Sequence, residues 1–194
     1  MKLFAVSLLV IVLISGVPAQ AEPREFQIDK EHFSIGFLIN HIGFADQLGM
    51  FLEGSGSFVW DESSNELLSG EVVVEAASVF TNHEARDRHL RSEDFLHTSE
   101  HDDIRFVAER WEPDGPTDGV LHGSLTMLGQ SHPVALDVDI NRRAEYPFGH
   151  ERYTVGMSAR TTLLRSQWGM TYALDDGLVG DEVQMLLEFE AIAQ

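Results

Sequence analysis

Apolar side chains recur at every second position through most of this chain, and that period limits its fold more than any other feature. Neighbouring residues of an extended strand point to opposite faces, so period two marks strands with one buried face. Phe33, Ile35, Phe37 and Ile39 alternate with His32, Ser34, Gly36 and Leu38. Leu48, Met50 and Leu52 open a second set that continues through Gly54 and Gly56 to Phe58 and Trp60. Further sets run from Val72 to Ala76, Ile104 to Ala108, Leu121 to Met127, Val134 to Ile140, Val155 to Ala159 and Val183 to Phe189. With a short strand at Phe26–Ile28, the pattern predicts about eight or nine strands.

Turn-forming residues separate these sets, at Asp61–Asn65, Pro113–Pro116, Gly129–Ser131, Pro147–Gly149 and Asp175–Gly177. Short connections make consecutive strands antiparallel neighbours. A long sheet with a single apolar face closes into a barrel or folds into a sandwich. Gly54, Gly56 and Gly123 fall on the expected inner face, where glycine suits a sharp bend or a close backbone approach. An all-β barrel is therefore expected, with the sandwich as the alternative.

One segment breaks the period. Between Thr81 and Thr98 the pattern predicts a helix capped by Thr81 or Asn82 and propagated from Ala85 to Leu90. Leu90, Phe95 and Leu96 give it an apolar docking edge. A second short helix is predicted over Arg165–Trp168. Two such inserts between strands would cover an open end of a barrel.

The N-terminus carries a different pattern. Lys2 precedes an apolar stretch from Leu3 to Val17, and Pro18-Ala19-Gln20-Ala21 ends it with small residues where a signal peptidase reads. The run is shorter than the roughly 20 apolar residues a membrane span needs. We expect residues 1–21 to be a cleaved signal peptide and 22–194 one exported, periplasmic domain without stable membrane insertion. No cysteine is present, which removes disulfides, thiol chemistry, thiolate metal sites and a lipid anchor. The 32 acidic side chains outnumber 13 Lys and Arg, for a net charge of -19. Such a charge repels phosphate backbones, so no nucleic-acid partner is expected.

Motifs for catalysis are scarce. Gly54-Ser55-Gly56-Ser57 is not a nucleophile elbow, and His83-Glu84 lacks the second histidine of a zinc-protease helix. His83, His89, His97 and His101 cluster near several carboxylates, which suits either a metal site or solvated and capping histidines. Arg86, Arg88, Arg91 and Arg165 fall in the two inserts. They would face an anionic headgroup or pair with Glu84, Asp87 and Asp94. The inner face is Phe, Ile, Leu, Val and Met, a lining that a packed core and a ligand pocket share.

Several blocks resemble the YceI family. They are Phe26-Gln27-Ile28-Asp29, His32 to Phe37, Asn40-His41-Ile42-Gly43, Ser78 to Thr81, and Arg86-Asp87-Arg88-His89-Leu90-Arg91-Ser92-Glu93-Asp94-Phe95-Leu96. Phe106, Gly123 to Gly129, His132-Pro133-Val134, Arg165 to Met170 and Gly180 to Val183 complete the order. The resemblance implies an extended, lipocalin-like barrel of eight antiparallel strands, often dimeric, whose apolar cavity takes a polyisoprenoid or other long-chain amphiphile. It implies no catalytic residues and no required cofactor beyond the bound lipid. The implied ligand-binding residues are Phe33, Ile35, Phe37, Ile39, Met50, Leu52, Phe58, Leu90, Phe95, Phe106, Leu125, Met127, Leu136, Met157, Trp168, Met170 and Met185. His41, Arg86, His89 and Arg165 are the headgroup candidates. The family's Gly-x-Thr-[Lys/Arg]-Pro-Val block reads Gly129-Gln130-Ser131-His132-Pro133-Val134 here and so loses a fixed positive charge. That loss, with the overall acidity, favours a neutral or quinone-like head over a pyrophosphate. The alternatives are a metal-dependent enzyme or envelope stress factor using residues 83–101, and a partner-binding module.

Overall fold

We describe a computed structural model that covers residues 22–194; the expected signal peptide lies outside the described residues. Ten strands follow in chain order: β1 (Arg24–His41), β2 (Ala45–Phe51), β3 (Gly54–Asp61), β4 (Glu66–Glu75), β5 (Val79–Phe80), β6 (Asp103–Pro113), β7 (Asp118–Met127), β8 (Gln130–Glu145), β9 (Tyr153–Leu164) and β10 (Val179–Ala193). Helix α1 (Glu84–Leu90) lies between β5 and β6, and a 3-10 turn (Arg165–Trp168) follows β9. Eight strands pair in the order β10-β9-β8-β7-β6-β4-β3-β1, and β1 pairs back onto β10 to close the ring. Every pairing is antiparallel. Among the described residues no helix is long and apolar enough to cross a membrane.

Strand β1 joins the two strands expected at Phe26–Ile28 and Phe33–Ile39 into one, with a register shift between Ile28 and Phe33. Polar side chains hold that irregularity within the strand. The Glu31 amide donates to Asp29 Oδ1 at 3.1 Å, and His32 Nδ1 lies 2.8 Å from Asp29 Oδ2.

The long strand expected from Leu48 to Trp60 is instead two strands, β2 and β3. They break at Leu52–Glu53, where the Leu52 amide donates to the Ser78 carbonyl (3.2 Å) and the Glu75 amide to the Glu53 carbonyl (3.1 Å). The break exchanges the faces. Phe58 and Trp60 point inward as expected, but in β2 the inward set is Gln47, Gly49 and Phe51. Phe37 pairs directly with Gly49, and a Cβ at Gly49 would overlap the Phe37 ring, so Gly49 must share its inner face. Leu48 and Leu52 are accordingly 65% and 58% exposed, and Met50 lies with them on the outer face beside Phe80.

The expected helix forms, with a different cap. His83 is the N-cap, its Nδ1 accepting from the Arg86 amide at 3.2 Å. Thr81 and Asn82, the caps expected from residue type, do other work. Thr81 N and Oγ1 both donate to the buried Asp87 carboxylate, at 2.8 and 2.5 Å, and Asn82 turns the chain with φ +59°. The second expected helix is the single 3-10 turn, ended by Gly169 at φ +78°.

At one end of the barrel the interior is packed solid. Phe26 stacks on Phe58 with centroids 5.0 Å apart, Tyr153 approaches Phe26 at 6.4 Å, and Trp60 meets Trp111 edge-on at 5.6 Å. The opposite end carries α1, the 3-10 turn and the β1–β2 hairpin, and it is hollow.

Candidate functional site

The hollow end is a cavity of about 510 Å³, within the range of roughly 300–1,000 Å³ typical of small-molecule sites. Inward positions of the strands build its wall: Ile35, Phe37 and Ile39 from β1, Leu136 from β8, Met157 from β9, Met185 from β10. Its sides are almost entirely apolar. Polar lining residues gather at one end, where Asn40, His41, Gln47, Thr81, Arg86, His89 and Tyr172 form a collar. The exposed lining residues are Asn40, His41, Ile42, Tyr172 and Leu178, all contributed by the β1–β2 hairpin and the segment 171–178. The cavity therefore opens to solvent at that end.

Of the expected ligand-binding residues, Ile35, Phe37, Ile39, Leu90, Phe95, Phe106, Leu125, Met127, Leu136, Met157, Met170 and Met185 line the cavity. Five do not. Met50 and Leu52 face outward because of the break after β2. Phe33 packs below the cavity, edge-on to Phe189 at 6.2 Å and over Gly54, where a Cβ would overlap its ring. Phe58 is consumed by its stack on Phe26. Trp168 is buried, but its Nε1 donates to the Leu125 carbonyl (3.2 Å) and its ring packs on His132 at 5.1 Å, which turns it away from the cavity.

Residues that the alternation did not mark complete the wall. Phe51 and Gln47 were hidden because Leu48-Gly49-Met50-Phe51-Leu52 is apolar in both parities near the strand's end. Tyr172 and Leu178 come from a segment with no period at all. The only hint there was the apolar side chains scattered around Asp175-Asp176-Gly177.

The four headgroup candidates all reach the cavity. Arg86 donates from Nε to Thr81 Oγ1 (2.8 Å), from Nη2 to the Thr81 carbonyl (2.8 Å) and from Nη1 to Gln47 Oε1 (2.9 Å). Arg165 is 1% exposed and donates to four carbonyls, those of Gly180 (2.7 Å), Met170 (2.7 Å), Tyr172 (2.9 Å) and Val179 (3.0 Å). Burial pushes its pKa down, with the Asp181 carboxylate opposing. Four of its five N–H groups are therefore engaged, and it staples the 170–180 segment to the barrel. His89 bonds Asp94 at 2.8 Å and packs edge-on between Phe95 (5.0 Å) and Tyr172 (4.9 Å). His41 stands exposed at the mouth. The ion pair expected within α1 forms between Arg88 and Glu84, on the solvent side.

The histidine cluster does not assemble as a unit. His83 caps α1 and His89 is paired with Asp94, which leaves His97, Glu100 and His101 with ligand atoms within 4.8 Å of one another. That trio lies outside the cavity lining. Asp29, His32 and Glu190 form a second such group at the β1 irregularity.

Comparison with known proteins agrees with this architecture. A YceI-like domain is matched over residues 26–191. A UPF0312 protein of Pseudomonas putida is 34% identical over 171 residues, 87% of each chain. One from Shewanella sp. is 32% identical over 178 residues, 91% of each chain. The solved YceI protein of Campylobacter jejuni superposes with a TM-score of 0.70 at 26% identity, covering 80% of this chain and 90% of that one. A polyisoprenoid-binding domain from Saccharophagus degradans shares the fold, with a TM-score of 0.63 at 11% identity over 87% of this chain and 98% of its own.

Proposed function

The chain belongs to the YceI family, and from that premise we propose that it is a binding protein whose cavity carries a long apolar molecule with a small neutral head. A polyisoprenoid, an isoprenoid quinone or a fatty derivative has the required chemistry. The observation that carries this reading is the apolar cavity of about 510 Å³ with a single polar collar. An aliphatic tail inside it is stabilised by about 25 cal/mol per Å² of apolar surface removed from water, without any catalytic group. One solved neighbour of the same fold is described as a polyisoprenoid-binding domain, which supports the same class of ligand.

The collar favours a neutral head. Arg86 and Arg165 already donate to neutral oxygens of the protein, and the net charge of -19 disfavours an anion. Gln47, Asn40, Tyr172 and His41 offer hydrogen bonds suited to a carbonyl or hydroxyl. We further propose that the protein is exported, on the basis of the Lys2, Leu3–Val17 and Ala19-Gln20-Ala21 pattern. A mature N-terminus at Glu22 in the periplasmic fraction is the expected result.

The binding reading is tested by detergent-free purification, organic extraction and mass spectrometry, with ubiquinone and farnesol added back to stripped protein. Close to one apolar molecule per chain is expected. Ala159 is buried in the cavity wall, so Ala159→Phe should fill the cavity and abolish binding while the fold survives. No co-purified lipid and no uptake of either added compound would overturn it.

A further inference from the structure

The mouth of the cavity is also where the chain exposes its least expected side chains. Phe44, at the tip of the β1–β2 hairpin, is 89% exposed, more than any other large apolar residue described. Ile42 beside it and Leu178 across the opening are exposed as well, and both also line the cavity. Apolar side chains therefore reach from the cavity wall at Ile42 and Leu178 to the hairpin tip at Phe44, beside the polar Asn40 and His41. Isolated exposed apolar residues are ordinary, but a protruding group continuous with a pocket marks an interaction site.

The backbone at this tip shows the same bias. Ile42 and Gly43 both take positive φ, +56° and +72°, and the Phe44 amide donates to the His41 carbonyl at 3.1 Å. Asn-Gly or Gly-Gly is what such a reversal favours, because a β-branched side chain is strained in the left-handed region. The chain nevertheless places isoleucine there, and holds it out at the mouth. The Ile42 amide donates to the Leu178 carbonyl at 3.0 Å, so the hairpin tip and the 171–178 segment form one tied rim.

Resting on the reading of the cavity as a lipid site, we propose that this rim docks onto the interface of a zwitterionic lipid bilayer. Phe44 and Ile42 enter the headgroup–acyl boundary, and the ligand passes between membrane and cavity without crossing water. The charge around the rim selects the surface. Asp46, Asp175 and Asp176 are exposed beside the mouth, and they repel anionic headgroups. Few side chains enter, so docking is reversible, as a shuttle requires.

The test uses the full mature chain with vesicles of phosphatidylcholine and phosphatidylethanolamine. In a Phe44→Trp variant, the difference spectrum against wild type should shift to the blue on vesicle addition, and less so when phosphatidylglycerol is included. Phe44→Ser combined with Ile42→Asn, which suits the turn, should weaken vesicle binding by about ten- to a hundredfold, the fold-change for burying one Phe side chain. Phe44→Ser alone, which leaves the cavity lining intact, should slow transfer of a pyrene-labelled long-chain alcohol from vesicles while leaving its affinity, measured without vesicles, unchanged. An unshifted spectrum in the Phe44→Trp variant, with transfer by Phe44→Ser unchanged, overturns the proposal. So does a wild-type dimer that becomes monomeric in the double variant with no vesicle binding by either, since the rim would then be an interface between copies of this chain. Failure of the alcohol to bind without vesicles, with the indole introduced by Phe44→Trp still shifting, would strike the cavity reading and leave docking standing.

Discussion

Strand β1 passes through two interiors of opposite kind. At its start, Phe26 stacks on Phe58 and approaches Tyr153, and the Trp60–Trp111 pair belongs to the same core. From Ile35 onward the same strand faces Leu136 and Met157 across open space. The ring of eight strands is common to both. Such a barrel is just wide enough for side chains to fill, so the reach and orientation of the inward residues decide between core and pocket. Aromatic rings are not absent from the hollow end, but there they lie against the wall. Phe37 rests on Gly49 and Phe106 on Gly123, each ring occupying the place of the missing Cβ. Glycine opposite these rings leaves them room against the wall, whereas at the filled end Phe26 and Phe58 stack on each other.

The largest expected effect tests the filled end. Phe26 is fully buried, and Phe26→Ala should destabilise the protein by about 3–5 kcal/mol in urea denaturation, because its site is close-packed and cannot collapse. Met157→Ala, in the hollow end, removes fewer contacts and only enlarges space that already exists. Its cost should stay near the lower limit of the roughly 2–5 kcal/mol seen for such truncations. Equal costs at the two positions would show that the hollow end is as tightly packed as the other.

A smaller and more selective effect is expected at Gly49. The atoms that an added Cβ would meet belong to the Phe37 ring, the far end of a side chain with cavity space beside it. Gly49→Ala should therefore swing that ring into the cavity at little cost in stability, within about 1 kcal/mol, since alanine also restricts the unfolded chain and so offsets part of the crowding. Ligand affinity should fall by about tenfold, for loss of roughly one side chain's worth of apolar contact. Titration with a fluorescent long-chain alcohol reads it directly. Unchanged affinity with lowered stability would mean that the ring has moved into the wall and not into the cavity.

Much of the barrel was legible in the sequence, because period two survives wherever one face meets an interior. Val134 to Ile140 and Val183 to Phe189 needed nothing more. The orientation of β2 was not legible. Leu48, Met50 and Leu52 alternate as well as any buried set, and only the pairing of Gly49 with Phe37 reveals that they face out. The division between filled and hollow was equally hidden, since Phe26 and Phe37 obey the same period and differ only in what lies opposite. Most residues of the cavity wall lie on strands that carry that period, whereas Tyr172 and Leu178 at the mouth do not. Tyr172 and Leu178 lie in a segment held by Arg165, whose carbonyl partners run from Met170 to Gly180 and follow no periodic pattern.

The smallest effect belongs to the joint between the two interiors, where β1 is irregular between Ile28 and Phe33. The hydrogen bond to Asp29 raises the His32 pKa, with the Glu190, Asp29 and Glu31 charges adding to it. Burial pushes the Asp29 carboxyl up, but the His32 hydrogen bond, the Glu31 amide and the charges of His32 and His150 together hold it below its ordinary value. The signs give a window. The raised His32 contributes fully below its unfolded value of 6.5, and the contribution is lost as pH rises through the higher folded value. The depressed Asp29 contributes above its unfolded value of 3.8, and that contribution is lost as pH falls through the lower folded value. The pair therefore stabilises most between 3.8 and 6.5. Because the His32 side chain is 49% exposed, the gain is screened to about 0.2–1 kcal/mol. His32→Gln should flatten the fall in stability between pH 6.5 and the raised folded value, measured by urea denaturation, and leave the cost of Phe26→Ala unchanged. A variant that also altered ligand affinity would show that the joint couples the two interiors, so that the packed end helps set the shape of the open one.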